Sequence, residues 1–98
     1  MAPAFAQAAD ASVQANRLFD DYWEWALREA PELATFLGDH RYDDRLRDAS
    51  AVAVRSRHAA RIAFRQRSGQ IDASQLPPRE RTSLRILQFR LDADLAVD

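Results

Sequence analysis

Between Ser12 and Glu29 the apolar positions recur with the period of an α-helix. Phe19, Tyr22, Trp23, Ala26, Leu27 and Ala30 fall at i, i+3, i+4, i+7, i+8 and i+11, which stack along one side of a helix with 3.6 residues per turn. Leu18 and Trp25 widen that face, and Asp20, Asp21, Glu24 and Arg28 take the opposite side. Pro31 ends the run and suits the first turn of a short second helix, where its missing N–H costs no hydrogen bond. Leu33, Phe36 and Leu37 are the expected apolar contacts of that helix, and Gly38 is placed as a left-handed C-cap.

The polar loop Asp39-His40-Arg41-Tyr42-Asp43-Asp44 follows, with aspartates that favour turns. A third helix is expected to start after Asp48 or Ser50, either of which can cap it, and to end at Gly69. Its apolar line is Val52, Ala59 and Ala63, with Ala60 and Phe64 beside it. Arg57, Arg61 and Arg65, four apart, fall on the far side. Ile71 to Leu76 reads as a connector, and Pro77-Pro78 opens a fourth helix reaching about Val97. That helix is apolar on two sides: Leu84, Leu87, Leu91 and Leu95 on one, Ile86, Phe89, Ala93 and Val97 on the other. Such a helix is normally sandwiched between layers, and three partner helices, one very short, can hardly cover both sides. No stretch alternates with period two long enough to suggest a strand. The expected fold is therefore all-α: helical hairpins built from three long helices and one short one.

Composition narrows the functional classes. Charge is nearly balanced at -1, and all 14 basic residues are Arg, so the chain lacks the basic excess of a nucleic-acid-binding module. It has no Cys, which removes disulfides, thiolate chemistry and Cys-containing zinc sites. No apolar run approaches the ~18 residues of a membrane span. The charges are nonetheless segregated. Seven acids and two arginines lie between Asp10 and Asp39, and eight arginines and three acids between Arg41 and Arg67. Antiparallel packing of the first and third helices would set opposite signs side by side. A solvated basic face on the third helix is the competing reading.

Candidate chemistry is sparse. His40 and His58 are 18 residues apart and form no His-x-x-x-His or His-Glu-x-x-His pair. Asp39, His40, Asp43 and Asp44 could offer oxygen ligands to a divalent ion, but they lack the ligand spacing and central Gly of a calcium loop, and they serve equally as a capped turn. No Ser or Thr lies in a nucleophile elbow. Glu24 and Glu29 are spaced poorly for a carboxylate pair on a helix. Trp23 and Trp25 straddle the edge of the first apolar face, where core packing competes with a role in lining a cleft. At the start of the chain, Ala4-Phe5-Ala6 before Gln7 fits the small-x-small pattern of signal peptidase. Residues 1–11 thus read as a signal-peptide remnant or a disordered start, and 12–98 as the helical segment.

Three strings carry a family resemblance: Leu18-Phe19-Asp20-Asp21-Tyr22-Trp23-Glu24-Trp25, then Ala30 through Leu46, then Asp48-Ala49-Ser50. Together they resemble the N-terminal region of the bacterial domain-of-unknown-function family 885 (DUF885). Members open with a phenylalanine–acidic–x–tyrosine–tryptophan helix, followed by a proline–x–x–alanine–threonine–x–x–glycine turn and a tyrosine–aspartate loop. The likeness spans about residues 15–98, and 30–50 is its specific part. It implies a longer, largely helical parent with a His-Glu-x-x-His zinc signature in its C-terminal half, similar to zinc metallopeptidases. In such a motif the two His bind zinc and the Glu activates a water. No part of that motif lies in this chain, so the resemblance assigns it no catalytic residue, no metal ligand and no cofactor of its own. It makes Asp39, His40, Tyr42, Asp43 and Asp44 the candidate cleft-facing loop.

The expectation is an N-terminal scaffold fragment of a metallopeptidase-like protein, inactive by itself, whose partner is the C-terminal part of its own family domain. The parent would be exported to the periplasm, whereas the chain as written would stay in the cytoplasm. The alternative is a complete small helical interaction protein that forms a homodimer through the fourth helix.

Overall fold

The computed structural model describes residues 4–98, with side chains from residue 8 onward. The order is α1 (Ala4–Glu29), α2 (Pro31–Phe36), a 3-10 turn (His40–Tyr42), α3 (Ala51–Gly69), a second 3-10 turn (Ala73–Gln75) and α4 (Pro78–Val97). No strand occurs among the described residues, and the fold is all-α as the periodicity requires.

α1 begins at Ala4 rather than near Ser12. The added turns are rich in Ala, the strongest helix former, and Ala11 and Ala15 are buried at the centre of the molecule. The small-x-small reading at Ala4-Phe5-Ala6 rests on residues whose side chains lie outside the described ones. The centre of the buried face also differs from expectation. Leu18, expected only to widen the face, is fully buried, while Trp23 is half exposed. Ala11, Ala15, Leu18 and Tyr22 step by four, three and four along the core side, and of the expected face Leu27 is buried while Phe19 and Tyr22 pack against the core.

α1 and α3 are antiparallel, which is, of the two readings left open, the one that sets the segregated charges side by side. Arg67 meets Asp21 at 2.8 Å and Arg57 meets Glu29 at 3.8 Å, so the pairing ascends one helix as it descends the other. α4 then runs back along α3, tied by Arg65 to Asp92 at 2.8 Å and by Gln88 Nε2 donating to Ser68 O at 3.4 Å. The main core forms from Ala11, Ala15 and Leu18 of α1, Ile71 and Leu76, and Leu84, Leu87 and Leu91 of α4. Ile71 and Leu76 come from the stretch read only as a connector. They plug the end of the bundle, and Arg81 fastens that stretch to α4 by donating to Ala73 O and Leu76 O at 3.1 and 2.9 Å.

α3 is turned opposite to its expected orientation. Val52, Ala59 and Ala63 face solvent, and the arginine line faces inward. Arg57 is 3% exposed, and Arg61 and Arg65 are half-buried. The reason is the placement of partners. Glu29 on α1 and Asp92 on α4 stand on the inner side of α3, with Asp98 just past the end of α4, and the apolar stems of arginine pack well while their heads find charge. Arg61 also lies over the Trp25 ring, 5.7 Å from its centre. The one large apolar side chain α3 sends inward is Phe64. It packs edge-on against Tyr22 at 5.5 Å and against Trp25 at 5.4 Å.

α2 departs from expectation too. Leu33, Phe36 and Leu37, its expected apolar contacts, are exposed, and Pro31 and Ala34 are the buried residues. One turn and a half of helix has room to bury only one narrow edge. Gly38 holds φ +89 and closes the helix as placed. Asp39 N donates to Ala34 O at 2.8 Å and Gly38 N to Thr35 O at 3.0 Å, the paired bonds of a Schellman cap.

Candidate functional site

The loop after Gly38 is a tightly tied turn. Asp39 caps the 3-10 turn by accepting from Arg41 N at 3.1 Å, and the Arg41 guanidinium folds back onto the same carboxylate while reaching Glu24 of α1 at 2.8 and 3.1 Å. These bonds, the Arg41 side chain first and its backbone N–H second, hold the Asp39 carboxyl down at about 2. Arg41 is correspondingly held above its ordinary value by Asp39 and Glu24. Asp43 accepts from Thr35 Oγ1 at 2.7 Å and faces His40 Nδ1 at 2.9 Å. Tyr42 lies beneath two guanidinium groups, Arg41 at 5.3 Å and Arg45 at 5.6 Å from its ring centre. Asp44 is exposed at the end of the turn.

Of the candidate loop residues, then, Asp39 and Asp43 are committed to protein donors, and Tyr42 and His40 pack or pair locally. No group of three or more His, Asp or Glu side chains converges to hold a metal ion among the described residues. His58 is remote from His40 and turns to Asp98 at 3.2 Å. The zinc that the family resemblance implies for longer relatives therefore finds no donor set among these residues.

A second feature went unread in the sequence. Where α1, α3 and α4 diverge, a cleft of about 110 Å³ opens, with Arg47, Arg57, Arg61 and Arg90, and Trp25 and Leu33, among its lining residues. Its signal was present as the four-residue spacing of Arg57 and Arg61, but the direction of that line was not. Tyr22 lines the same cleft, and burial there pushes its phenol above the ordinary tyrosine range against the opposing pull of Arg90. Asp98 is partly desolvated, which acts to raise its carboxyl. Hydrogen bonds from His58 and Arg61 outweigh that and leave it below the usual carboxylate range.

The molecule also exposes much apolar surface. On α4, Ile86 is 64% and Phe89 76% exposed, and Val97 also faces outward, as the two-sided pattern of that helix predicts. Phe36 and Leu46 are exposed on the α2 side. No helix among the described residues is long and apolar enough to cross a membrane. Among family models, curated proteins and solved structures, none matches this chain.

Proposed function

We propose that this chain is a non-catalytic helical scaffold, the N-terminal segment of a DUF885-like, zinc-metallopeptidase-like protein, and that the outer face of α4 docks against further helices of that protein. The observation that carries this reading is the exposure of Ile86 and Phe89 side by side on a helix whose other face buries Leu84, Leu87 and Leu91. Contiguous apolar surface of this kind marks an interaction face. The accessible surface agrees in scale: 6769 Å², where a compact monomer of 11.2 kDa exposes about 5,700 Å². The radius of gyration, 15.6 Å, likewise exceeds the ~13 Å of a compact chain this long. The zinc chemistry of such a protein would reside in its His-Glu-x-x-His helix, outside these residues.

The second reading is a homodimer through the same face, in which Ile86 and Phe89 of two copies would cover one another.

Two measurements separate the readings. The genomic reading frame around the chain is sequenced on both sides, and the solution mass of the chain and of its Phe89→Asp variant is determined. The scaffold reading expects a frame continuing into a His-Glu-x-x-His helix, and a chain that alone is a loose monomer or aggregate. A discrete dimer that Phe89→Asp converts to monomer would establish the second reading instead. A stable monomer with a cooperative melt and no such frame would overturn both.

A further inference from the structure

The cleft between α1, α3 and α4 is over-supplied with positive charge relative to its hydrogen-bond acceptors. Arg47, Arg57, Arg61 and Arg90 border it with only Glu29 and Asp94 as carboxylates. Arg61 is occupied by Asp98 at 2.8 Å and Arg90 by Asp94 at 3.3 Å. Arg57 is different. It is almost wholly buried, and its Nη2 donates to Asp48 O at 2.7 Å, but its Nη1 has no hydrogen-bond acceptor in the protein. Glu29 Oε2 stands 3.8 Å away, which balances charge but lies beyond hydrogen-bond reach. Buried guanidinium donors left unsatisfied are unfavourable, and native proteins hold few of them.

We propose that this cleft binds a small monocarboxylate with a short apolar or aromatic tail. The carboxylate accepts from Arg57 Nη1 as the half-buried Glu29 side chain swings aside, and Arg47 at the rim supplies the second cation. The tail lies on Trp25 and Leu33. The chemistry follows from the walls. The one unpaired nitrogen of Arg57, Nη1 with its two N–H groups, suits one carboxylate group, and Glu29 and Asp94 repel a second negative charge, which disfavours dicarboxylates and phosphate. A volume of about 110 Å³, well below that of a drug-sized pocket, limits the tail to a single ring or a few carbons. The apolar walls give no hydrogen bonds to a polar one. This inference does not depend on the family resemblance.

The test is a tryptophan-fluorescence titration of the 98-residue chain at neutral pH with benzoate and butyrate, beside benzamide, butyramide and inorganic phosphate. Saturable binding of the carboxylates is expected, with a dissociation constant of about 1 mM or tighter, and at least about tenfold weaker binding of the neutral amides and of phosphate. Arg57→Gln should abolish it. Because that variant removes a buried structural contact, two variants at less buried positions carry the test alone. Arg47→Ala should weaken binding about fivefold, and Glu29→Gln, which removes the competing charge, should tighten it about fivefold. Absence of saturation, amides binding as well as acids, phosphate binding more tightly, or an affinity unmoved by both Arg47→Ala and Glu29→Gln would each overturn the proposal.

Discussion

Arg67 Nη1 and Asp21 Oδ2 meet 2.8 Å apart across the interface of α1 and α3, ten residues along α3 from the point where Arg57 faces Glu29. The two pairs fix the antiparallel register of these helices at two heights. The Arg67–Asp21 pair is open to water on both sides, so its contribution is directional more than stabilising. Arg67→Ala should lower stability by only about 0.2–1 kcal/mol, and less at high salt. Urea melts at low and high ionic strength read this directly. A loss of several kcal/mol would mean the pair supports more than register.

The two faces of α4 should respond oppositely to truncation. Leu91 is fully buried in the core that α1, the connector and α4 share, and Leu91→Ala should cost about 2–5 kcal/mol through lost contacts and a residual cavity. Phe89→Ala removes an exposed ring and should change monomer stability by no more than about 0.5 kcal/mol. Thermal or urea denaturation at low protein concentration compares them. A large loss at Phe89 under those conditions would place that ring inside an assembled interface.

The start of α3 depends on one hydroxyl. Ser50 Oγ accepts from Ala53 N at 3.2 Å, and Asp48 Oδ1 accepts from Ser50 N at 2.9 Å, which depresses the Asp48 carboxyl below its ordinary value. Ser50→Ala should destabilise by about 1 kcal/mol, whereas Ser50→Asp should retain most of the cap. Equilibrium unfolding of the two variants is the check, and equal losses would argue against a capping role.

At the end of α2, Gly38 holds a positive φ with nothing within 4 Å of where a Cβ would stand. Gly38→Ala should therefore cost only the backbone strain, about 1 kcal/mol, and Gly38→Asn less. If Gly38→Ala unfolded the chain, a steric role would have to be added.

The turn at Asp39 makes a pH prediction. Its carboxyl sits at about 2 in the folded chain against 3.8 without its partners. A depressed folded value means that the contribution is fully present above 3.8 and is lost as pH falls through about 2. Glu32, Asp48 and Asp98 are shifted in the same direction, so stability should decline on acidification below about pH 4. A carbon-detected NMR titration of the Asp39 side chain should give a midpoint near 2, and Arg41→Ala should move it back towards the ordinary value. An unshifted midpoint in the parent chain would remove Arg41 as the anchor of this loop.

The pattern along the chain was enough to determine the all-α fold, the breaks at Pro31, Gly38, Gly69 and Pro77-Pro78 and the two-sided character of α4, and it narrowed the cap of α3 to Asp48 or Ser50, of which Ser50 serves. These are local or cumulative properties: a proline ring, a left-handed glycine, a side-chain oxygen near a free N–H, and an apolar pattern summed over a helix. Of the candidate loop, the turn itself was legible in its aspartates, but its partners were not. Arg41 reaches Glu24, 17 positions away in the chain, and no local rule connects them.

The tertiary structure alone decided which way α3 faces. An alanine line and an arginine line at the same helical spacing each look plausible as the inner side, and hydrophobicity taken by itself chooses the alanines. The outcome was set by what stands across the interface. Glu29, Asp92 and Asp98 await the arginine heads, and the Arg61 guanidinium also lies over the Trp25 ring. Ala59 and Ala63 bury little area and lose little by facing water. The same turn of the helix brought Arg57 under cover with one guanidinium nitrogen unpaired and opened the cleft beside it, a consequence of three helices meeting that no single stretch of sequence contains.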